Sequence, residues 1–226
     1  ARGEALVDRR FAGNPVLRVH MLLILAERYH ENGQFDRWQA TLDRAFEMSR
    51  GIGDVGLRSR AACAQAYSLV EQGRQVEADE LLALALRDVA PLPDAAPDEQ
   101  YCRVFEADVA NQRGHAARAV AAAERAVALR DEESGSAGRD FEALFALATA
   151  YMVAERYGPA DRVYRQLMEV LEEQGLSDSR NAALVLGNWS VMLQNAGQYL
   201  QAVPLSERTV RIARERDSEH GAQDAA

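Results

Sequence analysis

The chain has 226 residues, enough for one or two compact domains or for an array of repeats. Apolar residues make up 48% and charged residues 27%, the balance of a folded chain rather than a disordered one. A net charge of −9 argues against a nucleic-acid partner, which needs clustered positive surface. Cys63 and Cys102 are the only cysteines, too few for a disulfide framework or a metal cluster, and both read as small helix residues.

In chain order, Leu6 to Phe11 ends an entering helix, and Gly13-Asn14-Pro15 stops it. Val16 to Asn32 then carries Leu22, Leu25, Ala26 and Tyr29 on one helical face; Gly33 turns the chain, and Phe35 to Arg50 resumes a helix with Trp38, Leu42 and Ala45 inside. Leu57 to Asp88 repeats the pattern around Gly73, and Glu99 to Arg130 repeats it around Gly114. The acidic run Asp131-Glu132-Glu133 reads as part of a solvated loop. Asp140 to Glu173 is the fourth copy, with Glu155 at the turn and Pro159 in the first turn of its second helix, where a missing N–H costs little. The fifth copy runs through Trp189, Ser190 and Leu193, breaks at Gly197 and resumes from Tyr199 to Ile212.

The turn glycines at 33, 73, 114 and 197 lie 40, 41 and 83 residues apart, the last interval being two periods. A single hairpin leaves an apolar face wet, so neighbours must stack to bury it. The chain therefore reads as one array: an entering helix and linker over 1–15, repeats over 16–56, 57–98, 99–139, 140–180 and 181–214, and a polar tail over 215–226. No segment alternates apolar and polar residues long enough for a strand, and no apolar run is long enough to cross a bilayer. The chain opens Ala1-Arg2-Gly3 without Met, as a segment of a longer protein would.

The recurrence of Leu22, Leu25, Ala26, Tyr29, Gly33, Phe35 and Ala45, and again of Trp189, Ser190, Leu193, Gly197, Tyr199 and Ala202, resembles the tetratricopeptide repeat (TPR) family. Trp38 departs from that pattern at the first small position of a second helix, and Ser206 and Thr209 depart from it in the last. The period exceeds the family's usual ~34 residues, as in the long-helix variety of kinesin light chains and bacterial regulators. The segment Val7 to Pro15 is similar to the region where bacterial serine/threonine kinases pass into C-terminal repeats, although no kinase residue is present. The resemblance implies an all-α, right-handed superhelical array of about five TPR-like hairpins whose first helices line a concave groove.

Motifs for chemistry are weak. Gly51-Ile52-Gly53-Asp54-Val55-Gly56 spells the dinucleotide fingerprint but follows a helix, so it reads as an inter-repeat loop. Glu27 and His30 have the spacing of two metal ligands on one helix, but no second pair exists to complete a site. No set of Ser, His and Asp or of Cys and His has an activating context. Trp38 and Trp189 fall in the core pattern, and the sequon Asn188-Trp189-Ser190 lies inside a helix. Neither a catalytic residue, a metal nor a cofactor is implied.

Carried over position by position, the family's groove falls on Glu27 and His30, Arg60 and Tyr67, Asp108 and Asn111, Phe145, Thr149 and Met152, and Val191, Gln194 and Asn195. The wider stripe includes Leu23, Glu31, Cys63, Val70, Tyr101 and Glu142. Asn111 and Asn195 suit an extended peptide backbone, and Tyr67, Phe145 and Met152 suit apolar side chains. A clamp for a C-terminal carboxylate needs several cations, and Arg60 stands alone. The resulting expectation is a non-catalytic scaffold or regulatory domain that binds a protein or peptide, without nucleic acid or membrane, in a larger bacterial signalling protein. Two alternatives remain: self-association through the last helix, where Val203, Leu205, Val210 and Ile212 lack a following repeat, and the sensor domain of a transcriptional regulator. The compartment reads as cytoplasmic, with the extracytoplasmic region of a membrane-anchored kinase as the alternative.

Overall fold

The computed structural model describes residues 2–129 and 137–224, with side chains over 3–129 and 140–215. The expected acidic loop 131–136 lies outside the described residues. Every regular element among the described residues is helical. The short α1 (Arg2–Arg10) precedes five hairpins: α2 (Pro15–Glu31) with α3 (Phe35–Ser49), α4 (Val55–Glu71) with α5 (Gln75–Val89), α6 (Ala96–Gln112) with α7 (Ala116–Ala128), α8 (Ala137–Val153) with α9 (Tyr157–Glu173), and α10 (Arg180–Asn195) with α11 (Tyr199–Asp224). Each hairpin packs within itself, and α4, α6 and α8 also pack against one another. The first helices thus form an inner row.

The hairpin turns share one chemistry. Gly33, Gly73, Gly114 and Gly197 have φ of 67°, 75°, 69° and 74°, the left-handed conformation that ends a helix. The following amide then reaches back five residues, as when Gln34 N–H donates to the Tyr29 carbonyl at 2.9 Å and His115 N–H to the Ala110 carbonyl at 2.8 Å. In the fourth hairpin Glu155 takes the same conformation, at φ 56°. Three inner helices are capped by side chains: Asn14 accepts from Leu17 N–H, Asp54 from Leu57 N–H and Ser179 from Ala182 N–H.

Small residues set the packing distance. Ala61, Ala62, Ala64 and Ala66 of α4 and Ala119, Ala122, Ala123 and Ala126 of α7 are buried, which lets neighbouring helices approach closely. Trp38 and Trp189 are in the core, and the Trp189 Nε1–H donates to Asp161 at 2.9 Å. Helix α1 is held by Val7 in the core and by Asp8, which accepts from Arg18 at 2.8 Å and from Arg44 at 2.5 Å.

Three features depart from the sequence reading. Cys63 and Cys102 form a disulfide between the adjacent inner helices α4 and α6. Their separation of 39 residues is close to one repeat period, so stacking brings near-equivalent positions together. The polar tail expected from 215 is helical as far as Asp224, continuing α11; its Arg and Glu residues favour helix. The glycine run between α3 and α4 does form a loop, but Gly56 has a packing role. The Asp98 carboxylate occupies the space where a Cβ would stand, and Asp98 accepts from Arg60 Nε–H.

Candidate functional site

The first helices α2, α4, α6 and α8 bring residues from four repeats into one neighbourhood. On α2, His30 packs its ring against Trp38 and Tyr67, at centroid distances of 4.7 and 5.8 Å. Tyr67 of α4 continues to Phe105 of α6 at 6.0 Å, and Phe105 to Tyr101 at 4.9 Å. An aromatic ribbon therefore runs across the first three repeats.

Carboxylates from α2, α6 and α8 converge beside it. Burial pushes Asp108 up to about 7, and the neighbouring Glu142 charge adds to the shift. Burial likewise raises Glu142 to about 7, helped by Glu27 and Glu31. Glu27 is raised by burial and by Glu31. The side chains of Glu27 and Glu142 are solvent-accessible, yet protein surrounds them closely enough to disfavour their charge. Tyr101 is raised by burial and then by Glu27. Tyr67 is pushed up to about 12 by burial, with Asp108 and Glu71 contributing. Among the described residues Asp108, Glu27 and Glu142 take part in no ion pair.

The array also meets itself. Arg180 at the start of α10 donates from Nη1 to the Glu31 carboxylate at the end of α2 at 2.9 Å, and from Nη2 to the Glu31 backbone carbonyl. The first and fifth inner helices thereby touch across 149 residues of sequence. Both side chains are largely open to water, so the latch is one that salt weakens.

Of the residues read from the sequence, Glu27, His30, Tyr67 and Asp108 are brought together. Arg60 is not a free cation: it pairs with Asp98 and lies over the Tyr101 ring at 5.6 Å. Asn111 is on the same helix as Asp108, and both polar atoms of its amide are shut off from solvent without a hydrogen-bond partner. Thr149 Oγ1 is also shut off from solvent, beside the Tyr164 hydroxyl. Phe145 stacks on Phe141 at 5.9 Å and packs on the core of repeats four and five, as does Met152, whose sulfur accepts from Tyr164 Oη–H. These two contribute to packing rather than to an open pocket. Val191, Gln194 and Asn195 are exposed on α10, and Gln194 donates to Ser190 at 3.2 Å. In the wider stripe Leu23, Cys63 and Val70 are buried. Tyr101 and Glu142, from the wider stripe, lie beside Glu27, and Arg180 was missed because it is the first residue of α10, outside the family's groove positions.

No group of three or more His, Cys, Asp or Glu side chains among the described residues is placed to hold a metal. None of the described helices is long and apolar enough to cross a membrane.

No family model and no curated protein matches this chain. Solved structures do. A putative kinesin light chain with nearly identical TPR-like repeats from Podosopora anserina superposes with a TM-score of 0.58 at 20% identity, covering 90% of this chain and 98% of that one. BtubC (BKLC) from P. vanneervenii superposes with a TM-score of 0.63 at 18% identity, covering 96% and 89%. The fold is that of a TPR-like repeat solenoid. Such similarity at this identity fixes architecture alone, so the chemistry of the groove rests on this chain's own residues.

Proposed function

We propose that this TPR-like solenoid is a non-catalytic scaffold that binds a protein or peptide partner in the concave surface of its inner helices. The observation that carries the reading is the convergence of Glu27, Asp108 and Glu142 beside Tyr67 and Tyr101, with no cation among the described residues in ion-pair contact with the three carboxylates. Aromatic area supplies apolar contact, and unpaired carboxylates favour a segment carrying Lys or Arg over an acidic one. A role as the regulatory part of a larger bacterial signalling protein, such as a kinase, fits this reading. The internal disulfide favours an oxidising compartment over the cytoplasm for this domain.

The test places a photo-crosslinking residue at Tyr67 and, separately, at the exposed Val76 on α5. The partner captured through position 67 is then assayed for affinity against Tyr67→Ala with Asp108→Asn. Affinity should fall about ten-fold or more, as for a central contact, when measured at a temperature where melts show the double variant folded. Unchanged affinity would remove the concave surface from the binding site.

Self-association is a second reading, favoured by the bare apolar side of the last helix: Leu200, Val203 and Val210 are 92%, 51% and 48% exposed. Sedimentation equilibrium should then show a dimer that Val203→Glu with Val210→Glu dissolves. A strict monomer at high concentration would end this reading.

A further inference from the structure

A second unmet acceptor lies away from the concave surface. Helix α4 floors a cleft between the outer helices α3 and α5, a cavity of about 530 Å³. Gln65 of α4 stands in it with only 5% of its surface exposed. Its Nε2–H donates to Asp43 Oδ1 of α3 at 2.6 Å, while its Oε1 is buried and has no hydrogen-bond partner. The amide orientation follows from chemistry: an ionised carboxylate only accepts, so nitrogen faces Asp43 and oxygen is left for a donor from elsewhere. Buried carbonyl oxygens are rarely left this way unless something fills the site.

The lining supplies no such donor. Arg74, the cation in the wall, gives Nε–H and Nη2–H to Glu77 at 2.8 and 2.6 Å. Asp43 makes no ion pair among the described residues. Phe46, Leu69 and Leu81 form an apolar wall beside these acceptors. The vacant position therefore asks for a positively charged hydrogen-bond donor at the end of an apolar stem. The cleft opens on the outer surface, so a side chain can enter while its own backbone stays outside.

We propose that this cleft receives the cationic side chain of a protein partner, a lysine or arginine, whose stem lies along Phe46, Leu69 and Leu81 while its N–H groups bond Gln65 Oε1 and the Asp43 carboxylate. The site is separate from the concave surface and gives the solenoid a second face for protein contact.

Titration of the ¹⁵N-labelled chain with N-acetyl-arginine methylamide and N-acetyl-lysine methylamide, followed by NMR, tests this. The Gln65 side-chain amide and the α3 and α5 amides should shift saturably. The neutral counterparts, capped citrulline and capped Nε-acetyl-lysine, should bind about ten-fold or more weakly, because a charged donor is the stronger one. Asp43→Asn, an exposed substitution that leaves the core intact, should weaken the cations to the level of their neutral counterparts; Gln65→Leu should abolish the shifts. Equal response to charged and neutral probes, or shifts confined to the Tyr101 and Asp108 region, overturns the proposal. Tighter binding of n-butylamine than of the capped residues makes the occupant a free amine and overturns its assignment to a protein side chain.

Discussion

Removing the covalent link between α4 and α6 tests how the middle of the array is held. Cys63 and Cys102 enclose 39 residues of sequence separation, and the chain-entropy model for a closed loop of that size gives about 4 kcal/mol at 25 °C. For a chain of 226 residues, each kcal/mol moves Tm by roughly 2–4 °C, so opening the bond should lower Tm by roughly 8–15 °C. Two perturbations separate the bond from the packing of its buried sulfurs: reduction of the wild type, and Cys63→Ala with Cys102→Ala. Thermal melts with and without reductant should show the wild type falling to near the double variant, which itself ignores reductant. Because repeats unfold in units, the loss should concentrate in α4 to α7, where hydrogen exchange will accelerate before α10 and α11 are affected. Two alkylated thiols in the denatured, unreduced protein, with a melt insensitive to reductant, would refute the reasoning.

Glu155→Gly should stabilise the fourth hairpin by about 0.5–1 kcal/mol, since it removes a left-handed non-glycine residue at φ 56° while adding freedom to the unfolded chain; urea melts measure it, and a loss of stability would show that Glu155 has another role. Gly56→Ala should cost about 1–3 kcal/mol, because the added methyl must displace the Asp98 carboxylate from Arg60; a neutral urea melt would show that the loop yields. For pH, Asp108 and Glu142 have folded values near 7, above the ordinary carboxylate range. Between about pH 4 and 7 the folded chain therefore holds protons that the unfolded chain has released, so their contribution is fully present at low pH and is lost as pH rises through 7. Burial sets most of the slope, with Glu142 adding to the shift of Asp108 and Glu27 and Glu31 adding to that of Glu142, and Asp108→Asn should flatten it in chemical denaturation across pH 5–8. Arg180→Ala should change stability by no more than about 1 kcal/mol, as for an exposed pair, yet enlarge the radius of gyration measured by X-ray scattering. An unchanged radius would mean that packing, not the latch, sets the curvature.

The hairpins were readable because each is specified locally. The turn glycines, the Asn14, Asp54 and Ser179 caps and the helical spacing of Leu22, Ala26 and Tyr29 all act within one or two turns of chain. Glu155 was readable as a turn only by its place in the period, since its own side chain argues against the left-handed conformation. Counting cysteines against known frameworks pointed away from a disulfide, whereas the repeat period pointed to one: positions 63 and 102 are 39 residues apart and both fall on inner helices. The period was the stronger signal because stacking turns one repeat of sequence into one helix spacing in space.

The family pattern marks a stripe along the first helices but does not define a site. Whether a side chain on that stripe meets water, core or another charge depends on the small rotation between successive repeats, and that rotation accumulates along the array. Phe145 and Met152 occupy the stripe positions yet pack on the core of the last two repeats, where the apolar side chains of α9 and α10 receive them. Glu27 and Glu142 are far apart in sequence, and the stripe pattern does not pair them; only the stacking of the repeats brings Glu27 close enough to raise the proton affinity of Glu142. Glu31 and Arg180 make the same point with opposite charges, meeting across 149 residues of sequence. The electrostatic character of the inner surface is thus a property of the array's pitch. A substitution that alters inter-repeat packing far from any carboxylate should therefore retune Asp108 and Glu142, and with them the partner's pH dependence.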